Sequence, residues 1–162
     1  MARALIVGCG CRGRELGSGL AERGWQVRGT SRKPAGLEAI EAAGLEPAEA
    51  DPDTPGTILD LCGDVAVVIW LLGSAGGEPE AIAAIHGPRL ERLLEKLVDT
   101  PVRGFAYEAT GAIGDAVLAA GAEIVERAAS TWRIPVAMLA GGRDEPGWAG
   151  RSAEEVAGLL AR

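Results

Sequence analysis

Apolar runs without internal alternation take turns, along this chain, with stretches whose apolar residues return every three or four positions. That alternation predicts strands and helices in strict succession. Ala4-Leu5-Ile6-Val7 is the first run, and Leu16, Leu20 and Ala21 follow at helical spacing. Trp25-Gln26-Val27-Arg28-Gly29-Thr30 reads as a second strand. Pro34 suits the first turn of a helix that Leu37 and Ile40 carry to the stop at Ala42-Ala43-Gly44. A short third strand over 45–50 ends at Asp51-Pro52-Asp53, ahead of a helix over 57–62. Residues 65–72 form the most hydrophobic run, and the absence of alternation predicts a central strand buried on both faces.

The second half repeats the scheme. Residues 80–98 predict a helix broken at Gly87-Pro88, with Ile82, Ile85, Leu90, Leu93, Leu94 and Leu97 as its core stripe. Strands are predicted over 101–108 and 134–140, with a helix over 115–131 between them. A loop over 141–147 leads to a closing helix from Ser152 to Leu160, with Ser152 as N-cap and Glu155 in the capping-box position. Such alternation predicts one α/β domain over 1–162, a doubly wound parallel sheet with right-handed crossovers and six strands in the order 3-2-1-4-5-6.

The first strand runs straight into Gly8-Cys9-Gly10-Cys11-Arg12-Gly13. Three glycines at this spacing, between a strand and a helix, suit a pyrophosphate: the first makes the turn, the second lets backbone approach the ligand, the third lets helix and strand pack. The helix N-terminus adds free N–H groups and a positive dipole end. Gly8, Gly10, Cys11, Arg12 and Gly13 are therefore candidate dinucleotide-binding residues, against the plainer reading of a structural glycine turn in a chain with 24 glycines. The second strand ends in Thr30-Ser31-Arg32-Lys33 with no acid. A carboxylate there would favour the ribose hydroxyl of NAD(H); hydroxyls and a guanidinium suit the 2′-phosphate of NADP(H). Thr30, Ser31 and Arg32 are candidates for that contact, or a solvated loop ahead of the next helix. Asp51, at the carboxyl end of the third strand, either accepts from an adenine amino group or caps the following helix. Leu72 and Gly73 end the fourth strand beside the expected cofactor, and the small residues after them allow close approach.

Composition narrows the partners. The chain has 162 residues, enough for a core burying about two-thirds of the unfolded surface. A net charge of −7 and scattered basic residues argue against nucleic acid or an anionic membrane. No run approaches a membrane span and no leader pattern opens the chain, so a cytoplasmic location is expected. Cys9, Cys11 and Cys62 with the single His86 do not complete a metal site. Cys9 and Cys11 sit at a helix N-terminus, which leaves a redox role open beside the reading of small residues in a tight loop.

These residues resemble the short-chain dehydrogenase/reductase superfamily, in particular NmrA-like, epimerase-like and NADH-flavin reductase-like members. The resemblance rests on Gly8, Gly10 and Gly13, on Gly29-Thr30-Ser31-Arg32, on Ala50-Asp51, and on Ile134-Pro135-Val136-Ala137-Met138-Leu139 as sixth strand. It implies a Rossmann fold and an NAD(P) cofactor. It also implies a Tyr-x-x-x-Lys pair on the preceding helix, near Leu118 and Ala122, where Glu126 matches a common acidic position. This sequence departs from that pattern: Tyr107 is the only tyrosine and no lysine follows Lys96. Extended relatives add a substrate lobe where this chain ends. Two roles are consistent with the resemblance so reduced. One is an NADP(H)-binding protein, with NAD(H) the lesser fit, serving as non-catalytic redox sensor or protein-partner module, with a homodimer as one form. The other is a small NADPH-dependent oxidoreductase passing hydride to a flavin, quinone or similar planar substrate. Tyr107 and His86 are its candidate acids; their plainer reading is an aromatic with a backbone partner and a packing histidine. A third outcome, a phosphate pocket blocked by Arg12 or Arg14, would leave only the fold.

Overall fold

The computed structural model describes residues 1–142 and 144–161. Six parallel strands form one sheet in the order β3-β2-β1-β4-β5-β6, as the sequence pattern predicts. They are β1 (Arg3–Val7), β2 (Gln26–Ser31), β3 (Glu46–Glu49), β4 (Val67–Trp70), β5 (Gly104–Glu108) and β6 (Val136–Leu139). Helices α1 (Cys11–Glu22), α2 (Pro34–Ala42), α3 (Pro55–Leu59), α4 (Pro79–Ile85), α5 (Pro88–Leu97), α6 (Asp115–Trp132) and α7 (Trp148–Gly158) connect or follow the strands.

The central strands are apolar on both faces because both faces are covered. Leu5, Val7, Val68, Trp70, Phe105 and Tyr107 point into one core, packed with Ile58, Leu90, Leu93 and Val125 from α3, α5 and α6. Their neighbours Ala4, Ile6, Val67, Ile69 and Ala106 point into the other, with Leu16 and Leu20 of α1, Ile40 of α2 and Val156 of α7. The period-two alternation of side chains thus serves two cores at once.

The break at Gly87-Pro88 separates α4 from α5, with Pro88 in the first turn of the second helix. The start of the last helix needs correction. It begins at Trp148 behind Gly147, whose φ of 78° is left-handed, and Ser152 is buried inside it. A Ser-x-x-Glu spacing also places both residues on neighbouring turns within a helix, so the motif did not mark the end. Helix α3 starts two residues earlier than its apolar pattern suggests, because Pro55 fits a first turn. Arg143, within the predicted 141–147 loop, lies outside the described residues.

The connection from β1 runs to β2 on one side, while the chain returns to pair β4 with β1 on the other. Strand order therefore reverses between β1 and β4, and the crevice beyond their carboxyl ends is where such sheets hold ligands.

Candidate nucleotide-binding groove

A groove of about 520 Å³ opens at that crevice. Gly8 turns the chain out of β1 with φ +83°, and a Cβ there would stand 2.6 Å from the Leu71 carbonyl oxygen. Buried Thr30 anchors the turn: its Oγ1 accepts from the Gly8 N–H at 3.3 Å and its carbonyl from the Cys9 N–H at 3.1 Å. A Cβ on Gly13 would meet Cys9 Sγ at 3.2 Å and Ile6 Cγ2 at 3.3 Å, so this glycine lets α1 pack on the sheet. Around Gly10 a Cβ would meet nothing within 4 Å. The first helical hydrogen bond runs from the Arg14 N–H to the Gly10 carbonyl at 2.9 Å. The N–H groups of Cys11, Arg12 and Gly13 precede it, at the positive end of the α1 dipole and beside open space. That cradle suits an anion.

The β2 side of the groove is cationic. Ser31, Arg32 and Lys33 line it, as does Arg14, and neither Arg14, Arg32 nor Lys33 forms an ion pair with a described residue. Ser31 Oγ accepts from the Lys33 N–H at 3.2 Å, which shapes the turn into α2. Asp51 also lines the groove, but it does not cap α3, whose N-cap is Thr54. Instead Asp51 Oδ1 accepts from the Asp53 N–H at 2.9 Å, and the Asp51 N–H donates to Thr57 Oγ1 at 2.9 Å. Asp53 is engaged by Arg89 at 3.2 Å.

The β5 side differs. Arg12 lines the groove, yet its guanidinium turns inward: Nη1 lies 3.0 Å from Glu108 Oε2, Nη2 donates to the Gly141 carbonyl at 3.3 Å, and the charge sits 3.9 Å from the centre of the Trp148 ring. Arg12 therefore closes no phosphate pocket. Glu108, buried at the end of β5, accepts the Gly73 N–H on Oε1 at 2.6 Å. Gly73 consequently does not line the groove, whereas Leu72 does. Glu108 escaped sequence reasoning, although its place at the carboxyl end of a strand is the same signal that singled out Asp51.

His86 and Tyr107 are both in the core, 1% and 0% exposed, and do not line the groove. The Leu72 carbonyl lies 2.9 Å from His86 Nε2 and can only accept, which fixes the proton on that nitrogen. Nδ1 is then an acceptor, and the Tyr107 hydroxyl donates to it at 2.6 Å. Burial pushes the His86 pKa down and the Tyr107 pKa up, the nearby Glu108 charge adding to the latter. The pair is a neutral hydrogen-bonded unit that ties α4, β5 and the end of β4 together. Burial likewise pushes the Cys9 thiol up to about 12 and the Cys62 thiol up to about 11. Cys9 is thus a packed thiol between Gly13 and Gly29, and the redox reading loses one of its two cysteines. Among the described residues no three His, Cys, Asp or Glu side chains converge as a metal site, and no helix is long and apolar enough to cross a membrane.

No protein-family model matches the chain, and the comparison with curated proteins found no match. Solved structures share its fold. The crystal structure of gox2253 superposes with a TM-score of 0.77 at 17% identity, over 100% of this chain and 67% of that one. UDP-glucuronic acid 4-epimerase from Bacillus cereus, in complex with NAD, gives 0.65 at 16% identity, over 83% of this chain and 54% of the epimerase. Triphenylmethane reductase of Citrobacter sp., complexed with NADP(H), gives 0.63 at 17% identity, over 84% and 48%. The chain spans about half the length of the epimerase and of the reductase. At these identities the likeness establishes a Rossmann-type α/β fold.

Proposed function

We propose that the groove binds a nicotinamide adenine dinucleotide, NADP(H) in preference to NAD(H), in a protein that serves as a non-catalytic redox sensor or partner-binding module. The observation that carries the preference is the set of cations without an ion-pair partner among the described residues, Arg14, Arg32 and Lys33, around a β2 end that bears no carboxylate. An anion such as a 2′-phosphate gains charge-assisted hydrogen bonds there. The Cys11, Arg12 and Gly13 amides suit the diphosphate, and Asp51 Oδ2 suits an amino group on the base.

The non-catalytic half of the reading is supported by where the chain keeps its proton donors. Tyr107 and His86 spend their polar atoms on each other and on Leu72. Leu118 and Ala122 occupy the α6 positions at which the resemblance would put a tyrosine and a lysine. The competing reading, a small NADPH-dependent reductase, draws on Ser74, Ala75 and Gly76, small residues that leave one groove wall accessible to a planar acceptor.

Calorimetric titration with NADPH and NADH tests the binding, and addition of a flavin or quinone to the same sample tests turnover. Loss of one hydrogen bond to a charged group costs about 1.5–3 kcal/mol, so Arg32→Asp is expected to weaken NADPH roughly 10- to 100-fold. NADH affinity should change little. Equal losses for the two cofactors would refute the assignment of Arg32 to the 2′-phosphate, and steady NADPH oxidation would replace the module with the reductase.

A further inference from the structure

The crevice is open at only one half. The lining comes from the ends of β1, β2, β3 and β4, from the starts of α1 and α2, from the 74–76 loop and from α4, and on the β5 side it stops at Glu108. Beyond Glu108, the segment 109–114 between β5 and α6 lies across the ends of β4 and β6. Its Ile113 N–H donates to the Gly73 carbonyl at 3.2 Å, and its Ala112 N–H to Ser74 Oγ at 3.1 Å. Thr110 Oγ1 donates to the Gly141 carbonyl at 3.0 Å, and the Ala109 N–H to the Leu139 carbonyl at 2.9 Å. Contact is close enough that a Cβ on Gly111 would overlap the Gly73 carbonyl.

The Arg12–Glu108 ion pair completes the closure. Glu108 takes the Gly73 N–H, and Arg12 reaches the same Gly141 carbonyl that Thr110 uses. The backbone donors and acceptors that a second ribose and a carboxamide would need at the ends of β4 and β6 are thus already satisfied by the chain itself. By contrast, on the open side the α1 amides of Cys11, Arg12 and Gly13 stand beside open space, and Arg14, Arg32 and Lys33 line the groove without an ion-pair partner among the described residues.

Resting on the proposal that this groove is a nucleotide site, we infer that it is a half-site for an adenosine 2′-phosphate diphosphate: it grips the adenylate half of NADP(H) and leaves the nicotinamide half outside. Oxidised and reduced forms differ only in the ring left outside. The groove therefore reads the 2′-phosphate and not the redox state, and of the two non-catalytic roles the partner-binding module follows.

The test uses the full chain. Calorimetry compares 2′-phosphoadenosine diphosphate ribose, which is NADP without its nicotinamide, with NADP⁺ and NADPH, and saturation-transfer NMR on the NADP⁺ sample reports which protons touch the protein. The expected result is three dissociation constants within about threefold of one another, less than the tenfold that 1.4 kcal/mol of ring contact would give. Adenine H2 and H8 should saturate, with the nicotinamide protons near background. Nicotinamide protons saturating as strongly as adenine, or either dinucleotide binding more than about tenfold tighter than 2′-phosphoadenosine diphosphate ribose, would overturn the half-site while leaving the dinucleotide reading intact. Binding by none of the three would remove the nucleotide reading itself, and the half-site with it.

Discussion

Acidification should destabilise this protein in the window where an unfolded imidazole titrates. His86 is buried, and its pKa is pushed below the ordinary value of 6.5, chiefly by desolvation. In the unfolded chain the imidazole takes up a proton as pH falls through that value; in the fold it does so only at lower pH. The unfolded state then binds more protons, and stability rises with pH at no more than about 1.4 kcal/mol per unit for one proton. From about pH 7.5 to about pH 5.5 the loss integrates to at most about 1.4 kcal/mol, or a fall in Tm of up to about 3–6 °C for a chain of this length. Asp64 contributes at a different pH. Its pKa is lowered by the hydrogen bond to Arg28, so its share is lost only as pH falls below its ordinary value of 3.8. Urea denaturation at a series of pH values measures the slope, and His86→Gln, which cannot titrate, should flatten it. A stability that is level or rises toward about pH 5.5 would refute the neutral, buried assignment of His86.

Three other perturbations test the site and its supports. Glu108→Ala leaves the Arg12 guanidinium buried without its carboxylate and the Gly73 N–H without its acceptor, so a loss of about 3–5 kcal/mol is expected in denaturant unfolding; a change within error would show the pair to be idle. Gly121→Ala drives a methyl into the Tyr107 hydroxyl and should cost about 1–3 kcal/mol. The same change made with Tyr107→Phe should cost less than the sum of the two, and strict additivity would contradict the contact. Gly10→Val adds its side chain to open space, so the fold should survive while titration shows no nucleotide binding; retained affinity would remove the phosphate from the α1 N-terminus.

What the sequence made legible was whatever local physics enforces. An unalternating run such as 65–72 has to be covered on both faces, and alternating strands and helices then leave little choice of strand order. The glycine loop was legible for the same reason, since Gly8 needs its positive φ and Gly13 its close packing. Of the cofactor-binding candidates, Gly73 alone lies away from the groove lining, because Glu108 claims its N–H. Long-range polar pairing was not legible. Nothing near Glu108 announces a guanidinium contributed by the glycine loop, and nothing near Tyr107 announces an imidazole from the end of α4. Both depend on which strands become neighbours, and the register that puts Trp70 opposite Tyr107 is set only by the assembled sheet.

The same two pairings bear on function. A Rossmann crevice that reduces a carbonyl group needs a proton donor beside the hydride acceptor, whereas hydride transfer to a flavin or quinone needs chiefly stacking and positioning. Here Tyr107, His86, Glu108 and Gly73 are the groups that could serve, and each is committed to another. Those commitments are mutually supporting. Burial keeps His86 neutral, Tyr107 donates to it, His86 holds the Leu72 carbonyl, and the adjoining Gly73 N–H holds Glu108, which pairs with Arg12. Freeing any one member for catalysis would strand a buried polar partner at a cost of about 1–3 kcal/mol, more for the charged pair. On the opposite side Arg14, Arg32 and Lys33 form no ion pair with a described residue. On the proposed reading, the open side would hold the nucleotide while Tyr107 and His86 stay engaged with each other.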